Sequence, residues 1–164
     1  MTAPPNNLLA MQSEDLLGSY RADQITRMAV GGVLRRRIDG DLAILVLKRV
    51  ASDEYGDLEE LPSGGVEPRE TLGEALAREV REETGLIIRA TGPFLFDFTY
   101  PSRAGVTVQL NFLVEVAGNL SVRVNPAEHE SFRWLPLTAL ANSGLSLDVR
   151  RGLGRTLASL PGLP

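Results

Sequence analysis

One stretch of the chain, Gly64 to Leu86, constrains the fold more than any other, because it predicts a helix with both ends marked. Thr71 and Glu74 have the spacing of a capping box, in which each side chain accepts a hydrogen bond from the other residue's backbone amide. Gly85 lies where a glycine commonly ends a helix. The sequence therefore predicts a helix with Thr71 as its N-cap and Gly85 as its stop.

This predicted helix carries acidic residues on the face that should be buried. Three aliphatic residues recur at helical spacing and form one apolar stripe: Leu72, Leu76 and Val80. Glu79 and Glu83 continue that stripe, and Glu82 borders it. Like charges this close destabilise a helix by roughly 0.2–0.5 kcal/mol per pair, and Arg78 can neutralise only part of the charge. A divalent cation such as Mg²⁺, which prefers oxygen ligands, would neutralise the rest; an acidic surface cluster is the alternative.

The same stretch resembles the Nudix box. It has Gly64, five further residues, Glu70, seven further residues and then the segment Arg78–Leu86, and every fixed position of the motif matches. The two positions that should be aliphatic are Val80 and Leu86. On these residues the chain is identified as a member of the Nudix hydrolase family, similar to its MutT-like group. The resemblance implies an α/β fold, the Nudix α/β/α sandwich, with a mixed β-sheet and the Nudix loop and helix.

The resemblance also implies a metal site, which we expect to hold Mg²⁺, with Mn²⁺ as the alternative ion. Its expected ligands come from five residues: Ser63, Glu79, Glu82, Glu83 and Glu128. Ser63 would contribute its backbone carbonyl at a position where MutT-like enzymes usually have glycine. A carbonyl ligand does not depend on the side chain, although serine restricts positive φ angles.

The expected catalytic residues overlap with these ligands: Arg78, Glu79, Glu82 and Glu128. Glu128 lies six residues before Trp134, a position from which family members often supply a metal ligand or a general base. It is the first candidate for the base that takes a proton from water, and Glu82 is the second. Arg78 is expected to hold the carboxylates in place, together with Glu70, rather than to touch the substrate.

Two groups of residues are candidates for substrate binding. Lys48 and Arg49 directly follow a predicted strand, and Arg49 corresponds to a basic residue of MutT-like enzymes. With Tyr55 in the following loop, they could meet substrate phosphates. Ordinary solvation of a strand end is the alternative. Gln109 and Asn111 should project together from a later strand, where their amides could read a base or ribose. A solvated strand face is the alternative for this pair.

The remaining pattern predicts strands before and after the box helix. Asp39-Gly40 is a hairpin signal between two strands that lie within Gln24–Leu47. Further strands and two closing helices are expected after the box: strands at Leu86–Ile88, Phe94–Tyr100 and Val106–Val116, and helices at Leu137–Ala141 and Leu147–Leu160. Residues 24–164 would form the Nudix hydrolase domain. Residues 1–23 are expected to be a partly flexible N-terminal extension, with packing against a second subunit in a homodimer as the alternative.

Composition excludes several kinds of chemistry. The 164 residues include no cysteine and one histidine, so thiolate metal sites, cysteine nucleophiles and histidine-rich zinc sites are excluded. The lone histidine, His129, is expected at the surface. A net charge of −4 argues against stable nucleic-acid binding. No apolar run reaches the about 18–20 residues of a membrane span, so we expect a cytoplasmic protein with no membrane contact.

These features predict a Mg²⁺-dependent hydrolase that cleaves the phosphoanhydride of a nucleoside diphosphate linked to another group. The first choice of substrate is a small-molecule nucleoside triphosphate, hydrolysed to monophosphate and pyrophosphate. The rival within the same class is an ADP-ribose or nucleotide-sugar pyrophosphatase. The rival from another class is a non-catalytic Nudix-like module that binds a nucleotide as a regulator.

Overall fold

The computed structural model describes residues 7–20, 24–52, 56, 58–103 and 105–157. Three α-helices are present in these ranges: α1 (Ser13–Tyr20), α2 (Leu72–Thr84) and α3 (Leu147–Thr156). The strands in the same ranges are β1 (Ile25–Ile38), β2 (Asp41–Arg49), β3 (Glu59–Glu60), β4 (Ser63–Gly65), β5 (Ile88–Ser102), β6 (Gly105–Val116) and β7 (His129–Pro136). Two 3₁₀ helices, Leu8–Ala10 and Leu137–Asn142, complete the described elements.

Strand β1 organises the sheet because its two halves pair with different neighbours. Its first part runs parallel to β6 and antiparallel to β4, and its last four residues pair antiparallel with β2. The strand order is β3-β2-β1-β6-β5, with β7 added on β2. Parallel and antiparallel pairs therefore coexist, and the predicted α/β fold with a mixed sheet is confirmed.

The predicted hairpin joins β1 and β2. Asp39 and Gly40 both have positive φ angles, 51° and 92°, and Ile38 faces Asp41 across the turn. Positive φ at both central residues is the geometry of the two-residue turn whose twist matches the strands it joins. The Asp-Gly pair therefore fixes the register between these strands.

Side chains of β1 alternate between two hydrophobic clusters, one on each face of the sheet. Val30 and Leu34 pack in the cluster that contains the apolar stripe of α2. Val33 packs in the other cluster, which contains Val149 and Leu153 of α3. Because successive side chains of a strand point to opposite faces, α2 and α3 cover opposite faces of the sheet, as in the expected sandwich.

The later elements differ in detail from the sequence prediction. Strand β5 runs through Gly92-Pro93 without a break, and shifts of register on either side of Phe94 accommodate the interruption. The first of the two expected closing helices is a 3₁₀ helix, Leu137–Asn142. Helix α3 ends at Thr156, and Leu160 lies outside the described residues.

The described part of the N-terminal extension is folded onto the domain. Leu8 and Leu16 are 6% and 5% exposed and belong to the same cluster as Leu72 of α2. Residues 1–6 and 21–23 lie outside the described residues, so the expected flexibility of the extension stays a prediction. Within the described ranges, no helix is both long enough and apolar enough to span a membrane.

Candidate metal and hydrolytic site

The ends of α2 are those that the sequence predicts, and they fix which residues face the sheet. The hydroxyl of Thr71 accepts a hydrogen bond from the backbone N–H of Glu74 at 3.2 Å, and the carboxylate of Glu74 accepts one from the N–H of Thr71 at 2.9 Å. Gly85 ends the helix with a φ of 70° and donates to the carbonyl of Arg81. This capping box and glycine stop confirm the predicted boundaries.

The three box carboxylates are exposed to different extents, as their positions on the helix predict. The side chain of Glu83 is 3% exposed, that of Glu79 is 13% exposed and that of Glu82 is 50% exposed. Glu83 reaches the strand before the box, where its Oε2 accepts a hydrogen bond from the backbone N–H of Ser63 at 2.8 Å. The Glu83 carboxylate of α2 therefore lies directly against Ser63.

Arg78 ties the carboxylates to the loop that precedes α2. Its Nε and Nη2 donate to the two oxygens of Glu70 at 2.9 and 2.8 Å, and Nη2 also donates to the carbonyl of Gly65 at 3.0 Å. Its Nη1 donates to Glu79 at 2.6 Å and lies 3.5 Å from Glu82. These hydrogen bonds raise the pKa of Arg78 and lower that of Glu70. The predicted pairing of Arg78 with Glu70 is present.

Gly64 allows α2 to approach the sheet closely. A Cβ atom at this position would lie 2.2 Å from the carboxylate of Glu79, which is closer than real Cβ atoms come to other atoms. Gly64 itself is held in β4 by pairing with Val30 of β1. Because Gly64 has no side chain, the Glu79 carboxylate can occupy the space next to β4.

The carboxylates are crowded and short of positive charge. Burial raises the pKa of Glu83 to about 9, with a further contribution from the neighbouring charge of Glu60. Burial also raises the pKa of Glu79, against the opposing effect of Arg78. Glu128 is exposed, is held by a 2.8 Å hydrogen bond from the Asn125 side chain, and its charge adds to the rise at both residues. Crowded carboxylate oxygens are the donor set that suits a hard divalent cation.

The structure adds two residues that the sequence did not indicate, Glu60 and His129. The prediction that His129 lies at the surface is wrong: it is fully buried at the start of β7, and its Nε2 donates to Glu60 at 2.7 Å. Glu60, His129 and Glu83 present ligand atoms that all lie within 4.8 Å of one another. Because β3 and β7 both pair with β2, their pairing brings Glu60 and His129 together. The residues that surround Glu60 and His129 in the sequence do not indicate this contact.

The basic candidates for substrate binding already have acidic partners. Lys48 forms an ion pair with Glu130 at 2.8 Å, and Arg49 forms one with Glu60 at 2.6 Å. Arg49 is thereby placed next to the group formed by Glu60, Glu83 and His129. Tyr55 lies outside the described residues. A substrate role for Lys48 and Arg49 stays a prediction.

Gln109 and Asn111 lie together on β6, but they are buried. They are 6% and 0% exposed, so the alternative of a solvated strand face is wrong. The side chain of Gln109 donates to that of Asn111 at 2.9 Å, and Asn111 donates to the carbonyl of Phe96 at 3.2 Å. A Cβ on Gly31 would lie 2.3 Å from the Asn111 oxygen. Gly31 therefore leaves room for this amide pair, whose role in reading a base stays a prediction.

Comparison with known proteins identifies relatives over most of the chain. The family model described as NUDIX domain matches residues 25–157. The nucleoside triphosphatase NudI of Klebsiella pneumoniae is 36% identical over 97 residues, which cover 54% of this chain and 69% of that enzyme. The ADP-ribose pyrophosphatase of Methanocaldococcus jannaschii is 34% identical over 104 residues, covering 62% of this chain and 58% of that enzyme.

A solved structure supports the same assignment. The MutT protein of Methanosarcina mazei superposes with a TM-score of 0.67 at 25% identity, covering 79% of this chain and 91% of that one. The α/β sandwich and its acidic loop and helix define a hydrolase that acts on phosphorus-containing anhydrides. The chain belongs to the Nudix hydrolase family, whose members depend on divalent metal ions and act on nucleoside diphosphate derivatives.

Proposed function

We propose that this protein is a Mg²⁺-dependent pyrophosphohydrolase that converts a nucleoside triphosphate to the monophosphate and pyrophosphate. The observation that carries the proposal is the gathering of the Glu79, Glu82 and Glu83 carboxylates beside Ser63, with Arg78 as their fixed partner. The match to NudI, a nucleoside triphosphatase, supports the choice of substrate. Mn²⁺ is the alternative ion.

The residues of the site fit a hard divalent cation. Glu79, Glu82 and Glu83 would hold it with their carboxylate oxygens, and Ser63 would hold it with its carbonyl oxygen. The bound ion supplies positive charge against the phosphate oxygens and makes a nearby water more acidic. The raised pKa values of Glu79 and Glu83 support this assignment, because they reflect a deficit of positive charge that such an ion would remove.

The chain's own groups would then perform the proton transfer and the positioning. Glu128 accepts the proton from the attacking water, since it is exposed on a loop outside α2 and its side chain is oriented by Asn125. Glu82, which is half-exposed, is the second candidate for the base. Arg78 fixes the orientation of Glu79 through a 2.6 Å ion pair. Lys48 and Arg49 would attract the substrate phosphates to this edge of the sheet.

The ADP-ribose rival is favoured by a different observation, the match to the archaeal ADP-ribose pyrophosphatase. Product analysis over a panel of nucleoside triphosphates, ADP-ribose and nucleotide sugars with Mg²⁺ distinguishes these functions. Release of pyrophosphate supports the proposal, whereas AMP with ribose 5-phosphate would replace it with the rival. Tight nucleotide binding without turnover would indicate a regulatory module.

The metal assignment is tested by Glu82→Gln, which preserves the shape of the side chain and removes its charge. We expect the rate of hydrolysis to fall below about a tenth of the wild-type rate, because one fewer carboxylate holds the ion. Glu115→Gln is the matched control, since Glu115 forms an exposed ion pair with Arg89, and such pairs contribute little. Retention of more than about a tenth of the activity by Glu82→Gln would contradict the assignment.

A further inference from the structure

The N-terminal segment, residues 8–20, contacts the loop that leads into α2, residues 66–70, which we call the Nudix loop. Gln12 forms a β-bridge with Thr71, and the N–H of Leu72 donates to the carbonyl of Met11 at 3.0 Å. Gly73 allows the carbonyl of Leu9 to approach, since a Cβ there would lie 3.0 Å from that oxygen. The segment therefore lies directly against the start of the helix that carries the carboxylates.

Two side chains of this segment form hydrogen bonds with the backbone of Arg69 in the Nudix loop, one at its carbonyl and one at its N–H. Gln12 Nε2 donates to the carbonyl of Arg69 at 3.1 Å, and the N–H of Arg69 donates to Glu14 Oε1 at 3.3 Å. Backbone N–H groups, those of Glu14 itself and of Arg69, lower the pKa of the Glu14 carboxyl. Arg69 has a φ of 67°, a left-handed conformation that is unfavourable for a residue with a side chain. The two hydrogen bonds offset that cost.

The residue after Arg69 begins the chain of contacts that reaches the metal site. Glu70 closes the Nudix loop by accepting a hydrogen bond from the N–H of Glu67 at 3.0 Å. The same carboxylate accepts hydrogen bonds from Nε and Nη2 of Arg78, and Nη1 of Arg78 donates to Glu79. A continuous set of hydrogen bonds therefore leads from the residue after Arg69 to Arg78 and Glu79.

The N-terminal segment is itself anchored well enough to act on the loop. Leu8 and Leu16 are buried in the cluster that contains Leu72 and Val80 of α2. Gln12 and Glu14 lie between these two anchors along the chain. They therefore extend from a packed part of the molecule onto an exposed loop.

We propose that Gln12 and Glu14 are positioning residues for the metal site, which they order by fixing Arg69 and hence the contacts of Glu70, Arg78 and Glu79. This inference rests on the proposed function, since it assigns the carboxylates of α2 to a divalent ion. It gives the N-terminal segment a role in catalysis without contact to substrate or metal.

The test compares Glu14→Ala and Gln12→Ala with the wild-type chain, using Mn²⁺ as the probe. Electron paramagnetic resonance of free Mn²⁺ gives the dissociation constant in the absence of substrate. We expect it to rise about threefold to tenfold in each variant, the change that one lost hydrogen bond would produce. The kcat should fall by a similar factor, while KM for the nucleotide stays within about twofold. Amide hydrogen exchange in the Nudix loop should become faster.

Two further variants separate the hydrogen bond from charge and from general damage. Glu14→Gln retains an acceptor oxygen for the Arg69 N–H and should restore Mn²⁺ binding to within about twofold of wild type. Asp15→Ala removes the neighbouring exposed carboxylate, for which the described residues offer no hydrogen-bond or ion-pair partner, and should behave as wild type. Thermal unfolding in EDTA checks that all variants are folded.

Unchanged Mn²⁺ affinity in Glu14→Ala would overturn the inference. So would failure of Glu14→Gln to restore binding, or an equal loss in Asp15→Ala, because either result would indicate a charge effect. Glu79→Gln serves as the reference for the site itself. If that substitution leaves Mn²⁺ binding intact, the proposed function fails, whereas loss of binding there with none in Glu14→Ala refutes only the positioning role.

Discussion

At the scale of single residues, the buried carboxyl of Glu83 carries a cost in stability that the proposed metal site would explain. Burial, with a further contribution from Glu60, raises the pKa of its carboxyl from 4.5 to about 9. A carboxyl with a raised pKa stabilises the folded state while it is protonated, and this contribution is lost as pH rises from about 4.5 towards 9. The metal-free protein should therefore lose stability across this interval.

Glu83→Gln tests this conflict, because the amide removes the charge and keeps an oxygen for the N–H of Ser63. In EDTA at pH 8 we expect the Tm to rise by about 2–4 °C, the shift of roughly 1 kcal/mol in a domain of this size. At pH 5 the difference should become much smaller, since that pH is close to the pKa of about 4.5 in the unfolded chain and little of the pH-dependent loss has then developed. Mn²⁺ affinity should fall at least about tenfold at pH 8. Circular dichroism and electron paramagnetic resonance give the two quantities.

The control for Glu83→Gln is Glu115→Gln, which neutralises a surface carboxylate on β6. It should leave both the Tm and the Mn²⁺ affinity unchanged. A lower Tm for Glu83→Gln at pH 8 in EDTA would mean that the buried charge is already compensated by other groups. A gain in Tm of equal size at pH 5 would show that the effect is not electrostatic.

For the candidate site, the sequence predicts the placement of residues that lie on one helix and does not indicate contacts between residues of different elements. The spacing of Glu79, Glu82 and Glu83 gives their exposure, because helical geometry alone sets it. Glu60 and His129 are 69 positions apart and meet only because two strands pair with β2. A lone histidine in a loop-like stretch therefore looks exposed in the sequence and is buried in the fold.

At the scale of elements, the distance between β4 and α2 depends on one glycine. In Gly64→Ala the new Cβ would lie 2.2 Å from the Glu79 carboxylate, and β4 cannot retreat because it pairs with β1. The flexible carboxylate must move instead. We expect kcat to fall at least about tenfold and Mn²⁺ affinity to weaken, with a loss of about 1–3 kcal/mol in the free energy of unfolding.

Gly154→Ala is the matched control for Gly64→Ala. Gly154 lies in α3, where no atom of the described residues comes within 4 Å of an added Cβ, so alanine should stabilise the protein by about 0.5–1 kcal/mol and leave activity unchanged. Urea unfolding and steady-state kinetics on both variants give the comparison. If Gly64→Ala keeps full activity, Glu79 has an alternative position that serves as well.

The elements themselves were predictable to the extent that their signals are local. The capping box at Thr71, the stop at Gly85 and the Asp39-Gly40 turn lie within a few residues of what they control, and all are confirmed. Strand β6 shows the limit of such signals. Its alternation of polar and apolar residues suggests one solvated face, yet Gln109 and Asn111 are buried, because they pair with each other and Gly31 leaves them room.

At the scale of the whole molecule, the core extends beyond the region that matches the family model. That model covers residues 25–157, but Leu8 and Leu16 contribute to the cluster that supports α2. The hydrophobic pattern of the first 20 residues is too short to show where they pack. Their partners include Leu72 of α2, which reaches them only in the folded domain.

Leu16→Ala tests whether this segment belongs to the folding unit. Leu16 is 5% exposed, and truncating a buried leucine costs about 2–5 kcal/mol, whereas Leu147→Ala at a half-exposed position should change the free energy of unfolding by less than about 0.5 kcal/mol. Urea unfolding, followed by the fluorescence of Trp134 and by circular dichroism, measures both. Coincident transitions at lower urea for Leu16→Ala would show that α1 and the sheet unfold together. An unchanged midpoint would show that the segment packs on the domain without stabilising it, and its hold on Arg69 would then have to be weak as well.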